Sequence, residues 1–369
     1  MRDGPPFPAD HVGSLIRPPD LVRARQALAE GRLGEAELAG IEDRSVREIV
    51  AMQEGIGLKS VTDGEYRREY YLTSFFNSIG VALLQRQSRD LFYETADGTR
   101  VAGSRAEVDA KVGWTHSINV GAFAFLAATT RATPKVTIPA PTQIHFFAGS
   151  DGISRAAYAD EETFWDDIVA AYHAELRALG AAGCRYVQLD ETSMPKLADP
   201  AIQEIVARRG QDWRQVLATY GTVMGRIIAG KPAGMTLVVH HCRGNHGTGW
   251  QAQAGYDAVA EVMFGAVGAA GYFLEYDSPR AGDFSPLRFL PRDRIAVLGL
   301  VSTKEQRLEP VDELKRRIEA AARYVDIDRL CLSPQCGFSS NVWRPALTRD
   351  DQMRKLERIV ETAAAVWGA

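Results

Sequence analysis

"WDDIVAAYHAELRALGAAG" (165–183), followed almost at once by "YVQLDE" (186–191), is the stretch whose reading decides the fold. In the first segment apolar residues recur every three or four positions, the period of an amphipathic helix, and the pattern stops at glycine as helix ends do. The second is a short strand-like run that finishes in two carboxylates, Asp190 and Glu191. A helix feeding directly into a short buried strand is the building unit of a parallel sheet.

The same unit recurs on both sides. Candidate strands are "DHVGSL" (10–15), "SVTDGE" (60–65), "KVTIPAP" (135–141), "YVQLDE" (186–191), "TLVVHHC" (236–242), "YFLEYD" (272–277), "IAVLGLVS" (295–302) and "RLCLSPQC" (329–336). Helical patterns between and after them include "RSVREIVAMQEGIG", "WRQVLATYGTVMGRIIAG", "YDAVAEVMFGAVGAAG", "VDELKRRIEAAARYV" and "QMRKLERIVETAAAVWG". This alternation predicts an α/β fold, a single (β/α)8 TIM barrel. A doubly wound sheet is the rival, but no Gly-rich dinucleotide fingerprint follows the first strand. Residues 85–134 break the rhythm and are expected as an insertion between strands 2 and 3. Within it "FYETADGTRVAG" (92–103) carries the Asp-Gly signature of a hairpin, and an apolar stretch of helical character follows. No repeat, low-complexity tract or Pro/Ser-rich linker divides the chain, so residues 1–369 are expected to form one domain.

Composition narrows the function. A formal net charge of −4 favours neither a nucleic-acid binder nor a basic membrane-surface protein. "MRDGPPFPAD" has no secretory pattern, and "INVGAFAFLAATT" is too short to span a bilayer. Four irregularly spaced cysteines do not form a disulfide framework, which points to a reducing cytoplasm where thiols remain available as ligands. A homo-oligomer is compatible with this composition, and nothing in it fixes the oligomeric state.

In a barrel of this kind the chemistry lies where strands meet the following loops. The first strand ends in Ser14, the second in Glu65, and the fourth in Asp190 and Glu191. The fifth ends in His240, His241 and Cys242, the sixth in Glu275 and Asp277, and the eighth in Cys336. Side chains two apart on a strand share a face, so His240 and Cys242 point together and His241 points away. Zinc is bound tetrahedrally by just such sulfur, imidazole and carboxylate groups. Glu275 and Cys336 are the nearest candidates to complete the set, and Asp277, of the same parity as Glu275, could replace it. The competing reading is a buried cysteine and a hydrogen-bonded histidine in a polar turn.

Six segments in order, "DHVGSLIRP", "TDGEYRREYY", "YVQLDET", "HHCRGNH", "FLEYDSPRAGDFSPLRFLP" and "LCLSPQCGFSS", resemble the catalytic half of cobalamin-independent methionine synthase and its short single-barrel relatives. The resemblance implies a Zn²⁺ cofactor held by His240, Cys242, Glu275 and Cys336, and an amino-acid thiol site at Ser14, Glu65 and Asp190. His11, at the start of the segment leading to Ser14, is a further substrate-binding candidate. The chemistry is coherent: a free thiol, with a pKa of about 8.5, is mostly protonated at neutral pH, and coordination to zinc deprotonates it. Two carboxylates would clamp an ammonium group and Ser14 a carboxylate.

The sequence departs from the family on the donor side. The additional N-terminal barrel of the full-length enzyme is not expected here. Phe146 and Phe147 are the nearest aromatics to the family's folate-stacking Trp, and Val301-Ser302 stands where the family has His-Ser. His246 could replace that proton donor, against the alternative of a merely solvated loop histidine. Arg67, Arg68 and Arg243 could bind a carboxylate or sulfonate. Cys184 and Cys331 read as core residues, and His116, His145 and His173 carry no supporting pattern.

The expectation is therefore a cytoplasmic zinc enzyme that moves a methyl group to a small-molecule thiol, homocysteine by preference, from a methyl-tetrahydrofolate or another small methyl donor. Two alternatives stand beside it: thiolate addition to an epoxide, as in epoxyalkane:coenzyme M transferases, and a non-catalytic barrel with structural zinc.

Overall fold

In the computed structural model, residues 4–95, 97–149, 151–340 and 346–368 are described. Seven parallel strands form one curled sheet: β1 (Ser60–Val61), β2 (Thr133–Pro139), β3 (Tyr186–Glu191), β4 (Thr236–His241), β5 (Gly271–Glu275), β6 (Ile295–Val301) and β7 (Leu330–Pro334), hydrogen-bonded in chain order. Strands covered on both faces are apolar on both faces. Val187, Leu189, Leu237, Val239, Leu298 and Leu332 pack outward against the helices, in the larger core. The alternate residues Tyr186, Val238, Phe273, Val297 and Cys331 pack with Val12 inside the curl.

The helix before β3 runs Glu161–Ala181, starting earlier than its apolar period because the Asp160 side chain accepts from the Thr163 N–H and caps it. Glu161 and Glu162 then sit at the positive end of the helix dipole. Helices Trp213–Ala229, Val311–Ala321 and Arg349–Trp367 lie where the apolar periods place them, and Glu35–Gly55 contains most of the 44–57 stretch but begins nine residues before it. The "YDAVAEVMFGAVGAAG" stretch is helical only over Ala260–Gly265, since Gly265 and Gly268 (φ 71°) end it early.

Two strand expectations need correction. "DHVGSL" is not a strand: Pro8 lacks the donor a ladder needs and Gly13 adopts φ 146°, which leaves one bridge, Ala9 to Leu332. This segment nevertheless hydrogen-bonds both edges of the sheet. Asp10 N–H donates to Leu332 O (3.0 Å) and Leu332 N–H to Pro8 O (2.8 Å) on the β7 side. Leu15 N–H donates to Gly64 O (3.0 Å) on the β1 side. "SVTDGE" is extended only over Ser60–Val61. Beyond it Gly64 N–H donates to Thr62 Oγ1 (3.1 Å) and Glu65 N–H to Asp63 Oδ1 (2.8 Å), which turns the chain before Glu65.

Between β1 and β2 two antiparallel pairs form, Ala82–Leu84 with Arg105–Glu107 and Phe92–Glu94 with Arg100–Ala102, followed by the helix Val120–Thr129. The inner hairpin docks on the loop after β4, where Glu94 and Trp250 exchange backbone hydrogen bonds of 2.8 and 3.0 Å.

Candidate metal centre and acceptor cleft

Register brings the site together. Asp190 on β3 lies opposite His240 on β4, and Gly299 on β6 lies opposite Glu275 at the end of β5. Cys242 continues the inward row of β4, and Cys336 follows two residues after β7. The ligating atoms of His240, Cys242 and Cys336 all lie within 4.8 Å of one another, and all three residues are buried. The two sulfurs are 3.8 Å apart. A tetrahedral ion with zinc–sulfur bonds of about 2.3 Å sets two sulfurs about 3.8 Å apart, so the spacing suits the metal. Both ring nitrogens of His240 are buried without a nitrogen or oxygen partner, as a ligand awaiting an ion would be. These residues fit a zinc ion.

Electrostatics agree with that reading. The Cys336 thiol donates toward Cys242 and, with His240 beside it, draws the Cys242 thiol well below its usual range. The same contact and burial push Cys336 up. Burial alone would depress His240, but Cys242, Asp190 and Glu275 together raise the imidazole.

Glu275 stands outside this three-residue group. Its Oε2 accepts from the Arg243 N–H at 2.7 Å and its Oε1 from Arg280 Nη2 at 2.6 Å. Against the cost of burial, Lys304, Arg243 and Arg280 hold its carboxyl down at about 2. Asp277 accepts from Ser302 Oγ (2.8 Å) instead of joining the sulfurs. His241 points to the opposite face, 3.3 Å from Glu191 and stacked on Tyr272.

A narrow cleft opens beside the sulfurs, lined by Ser14, Glu65 and Asp190 together with His240, Cys242 and Cys336. Glu65 sits at φ 61°, an unusual conformation for a residue with a Cβ, worth on the order of 1–3 kcal/mol of strain. Thr137 Oγ1 donates to its Oε1 at 2.8 Å and Arg68 approaches the same oxygen at 3.3 Å. Its Oε2 is buried with no partner. Burial, and then the neighbouring charge of Glu65, raise Asp190 to about 7. Arg68 thus serves one oxygen of Glu65, and the other is left for a cationic group of a ligand. A Cβ at Gly337 would stand 1.9 Å from Ser14 Oγ, so a side chain there would force Ser14 to move.

The remaining candidates fall elsewhere. His11 does not line the cleft; it is buried beneath it, and burial together with Lys135 lowers its imidazole to about 4. His246 lies in the loop after β4 outside the cleft lining, its ring 5.1 Å from that of Tyr93. Arg243 is enclosed over the Tyr256 ring, and Arg67 pairs with Asp43 and Glu42. Phe146 and Phe147 are buried under the Lys196 ammonium, 5.2 Å from each ring, and present no open stacking face to the cleft. Cys184 and Cys331 are buried in the core. His145 meets Tyr220 OH, His173 meets the Arg226 carbonyl, and His116 meets Thr115.

Sequence reading missed several residues. Tyr71, Tyr93, Thr192 and Asn245 also line the cleft, and Tyr93 comes from the hairpin, which no strand-end rule could place there. Lys196 is fully buried, donating to Thr192 Oγ1 at 3.0 Å and to Gln251 Oε1 at 2.5 Å. A helical Lys after "DETSMP" gives no sequence signal of burial.

The parallel sheet and its His-Cys-Cys group define an α/β protein with a buried cluster at the strand ends that could hold a metal ion. Residues 7–249 match the family described as "Cobalamin-independent synthase, Catalytic domain", and the chain belongs to that family. It is 39% identical over 365 residues to the Bacillus subtilis (strain 168) "Uncharacterized protein YxjH", covering 98% of this chain and 95% of that one. It is 25% identical to "Methionine synthase" of Pyrococcus abyssi (strain GE5 / Orsay), covering 96% and 93%. A crystal structure of a putative vitamin-B12 independent methionine synthase from Listeria monocytogenes superposes with a TM-score of 0.77 at 31% identity, over 99% of both chains.

Proposed function

We propose that this chain is a zinc-dependent methyltransferase that alkylates the thiol of homocysteine, using a methyl-tetrahydrofolate or another small methyl donor. The observation that carries the reading is the meeting of His240, Cys242 and Cys336 with Ser14, Glu65 and Asp190 in one cleft. His240, Cys242 and Cys336 would hold the ion, while Glu275, the fourth ligand that the family resemblance implies, is engaged by Arg243 and Arg280. Bound there, Zn²⁺ lowers the pKa of a substrate thiol so that it is nucleophilic at neutral pH. Glu65 Oε2 and Asp190 receive the ammonium, Ser14 Oγ donates to the carboxylate, and Tyr71 and Tyr93 shield the sulfur from water.

The same features weigh against the alternatives. Two carboxylates in the cleft suit an ammonium and repel the sulfonate of coenzyme M. A structural zinc site closes with four protein ligands, whereas three converge here and the fourth candidate is engaged elsewhere. Because Phe146 and Phe147 are covered, a compact donor is favoured over one needing that pair as a pterin platform. We read the chain as one domain in which the 10–15 segment occupies the eighth position of a (β/α)8 barrel, with the hairpins as an insertion. Among the described residues no helix is long and apolar enough to cross a membrane. We take the site of action to be the cytoplasm, and a homo-oligomer is compatible with this scheme.

The test is turnover of purified, zinc-loaded protein with homocysteine or coenzyme M and a panel of methyl donors, following thioether formation by mass. Methionine formation that disappears on chelation and returns with zinc supports the proposal. Product with coenzyme M and an epoxide, but none with homocysteine, refutes it.

A further inference from the structure

The carboxylate of Glu275 is held by arginine and backbone donors. Its two oxygens are taken by different donors, Arg280 Nη2 and the Arg243 N–H. Arg243 Nη1 is also 3.6 Å from Oε2. The strand fixes its backbone independently, since Glu275 N–H donates to Tyr256 OH at 2.8 Å. Of these groups only Arg280 can release the carboxylate by moving a side chain. It stands on a short turn, Pro279–Ala281, and its guanidinium lies over the Trp250 ring at 4.6 Å. Trp250 in turn pairs through its backbone with Glu94 of the hairpin that carries Tyr93 over the cleft. A guanidinium and a metal ion compete for the same carboxylate lone pairs, and both cannot use Oε1 fully.

We propose that Arg280 is a positioning residue that withholds Glu275 from the metal, keeping one coordination position open to the acceptor sulfur. The inference rests on the zinc reading above. Arg280 touches neither substrate nor metal. It acts by making the carboxylate a weak, exchangeable ligand, so that a thiol can take the place the carboxylate would otherwise fill. The Trp250 ring, tied to the hairpin, keeps the guanidinium at Oε1.

The experiment compares wild type, Arg280→Lys, Arg280→Met and the double variant Arg280→Met/Glu275→Gln. Zinc affinity is measured by chelator competition, and the metal shell by X-ray absorption with and without homocysteine. Outer partners of metal ligands typically change affinity by about 10–100-fold. Arg280→Met is expected to bind Zn²⁺ about tenfold more tightly. It should keep an additional oxygen in its shell when homocysteine is added, where wild type replaces oxygen with a third sulfur. Arg280→Lys should lie between them, and the double variant should lose the gain. Equal affinity and an unchanged shell in a folded Arg280→Met protein overturn the inference while leaving the zinc reading intact. A wild type that binds no zinc overturns both, and shows it before any variant is made.

Discussion

Removing one sulfur gives the most direct test of the metal centre. Cys336 is one of three converging side chains proposed to hold the ion and is buried beside Cys242. Structural zinc binding is worth about 10–16 kcal/mol over four ligands, so one ligand carries about 3 kcal/mol, roughly two powers of ten in Kd. Cys336→Ala should therefore bind Zn²⁺ about 100-fold more weakly, measured by chelator competition. Because bound metal stabilises the fold by mass action, the same variant should lose about 2.7 kcal/mol of zinc-dependent stabilisation under conditions that saturate wild type. The metal-free proteins should differ far less, since the side chain leaves only a small void. Cys331→Ala is the control: that thiol is equally buried but packs inside the lower curl with Tyr186 and Phe273, so zinc affinity should not change. If Cys336→Ala kept wild-type affinity, or if Cys331→Ala weakened binding as much, the convergence of His240, Cys242 and Cys336 would not be a metal site.

Three further outcomes follow from packing and charge. Lys135 and Asp10 form a fully buried ion pair at 3.4 Å, and Lys135→Met, which strands the Asp10 charge, should cost about 3–5 kcal/mol in denaturant unfolding, partly recovered in Asp10→Asn/Lys135→Met. Burial lowers Lys196 to about 8, so in metal-free protein the stability this group contributes is complete above its unfolded value of about 10.5 and is lost as pH falls through 8; the span corresponds to up to about 3 kcal/mol. Lys196→Met should flatten the stability curve between those limits, and an unchanged slope would refute the assignment. A Cβ at residue 337 would collide with Ser14 Oγ, so Gly337→Ala should cost about 1–3 kcal/mol and raise the KM for homocysteine more than it lowers kcat.

Much of the site was legible from local chemistry. The period-two rule alone put His240 and Cys242 on one face and sent His241 to the other, where it meets Glu191. The strand-end rule brought Ser14, Glu65, Asp190 and Cys336 to the same rim, and all four line the cleft. It failed for His11, which lies beneath that rim beside Lys135: position near a strand end does not say how far the chain has still to climb. His246 failed for a related reason, because nothing in a loop's sequence fixes which way its side chains turn.

Residue types, their alternation and their parity are properties of the chain itself, so the sequence by itself determined the parallel strand–helix architecture and named the three side chains that converge. Only the tertiary structure decided the partners of Glu275, the covering of Phe146 and Phe147 by Lys196, and the entry of Tyr93 into the cleft. Each of these depends on which distant segment arrives at a given carboxylate or ring. Arg280 is five residues from Glu275 but acts through a ring at 250, and Tyr93 reaches the cleft because Glu94 pairs with that same residue. Local patterning sets what a side chain can do, and long-range packing sets what it meets.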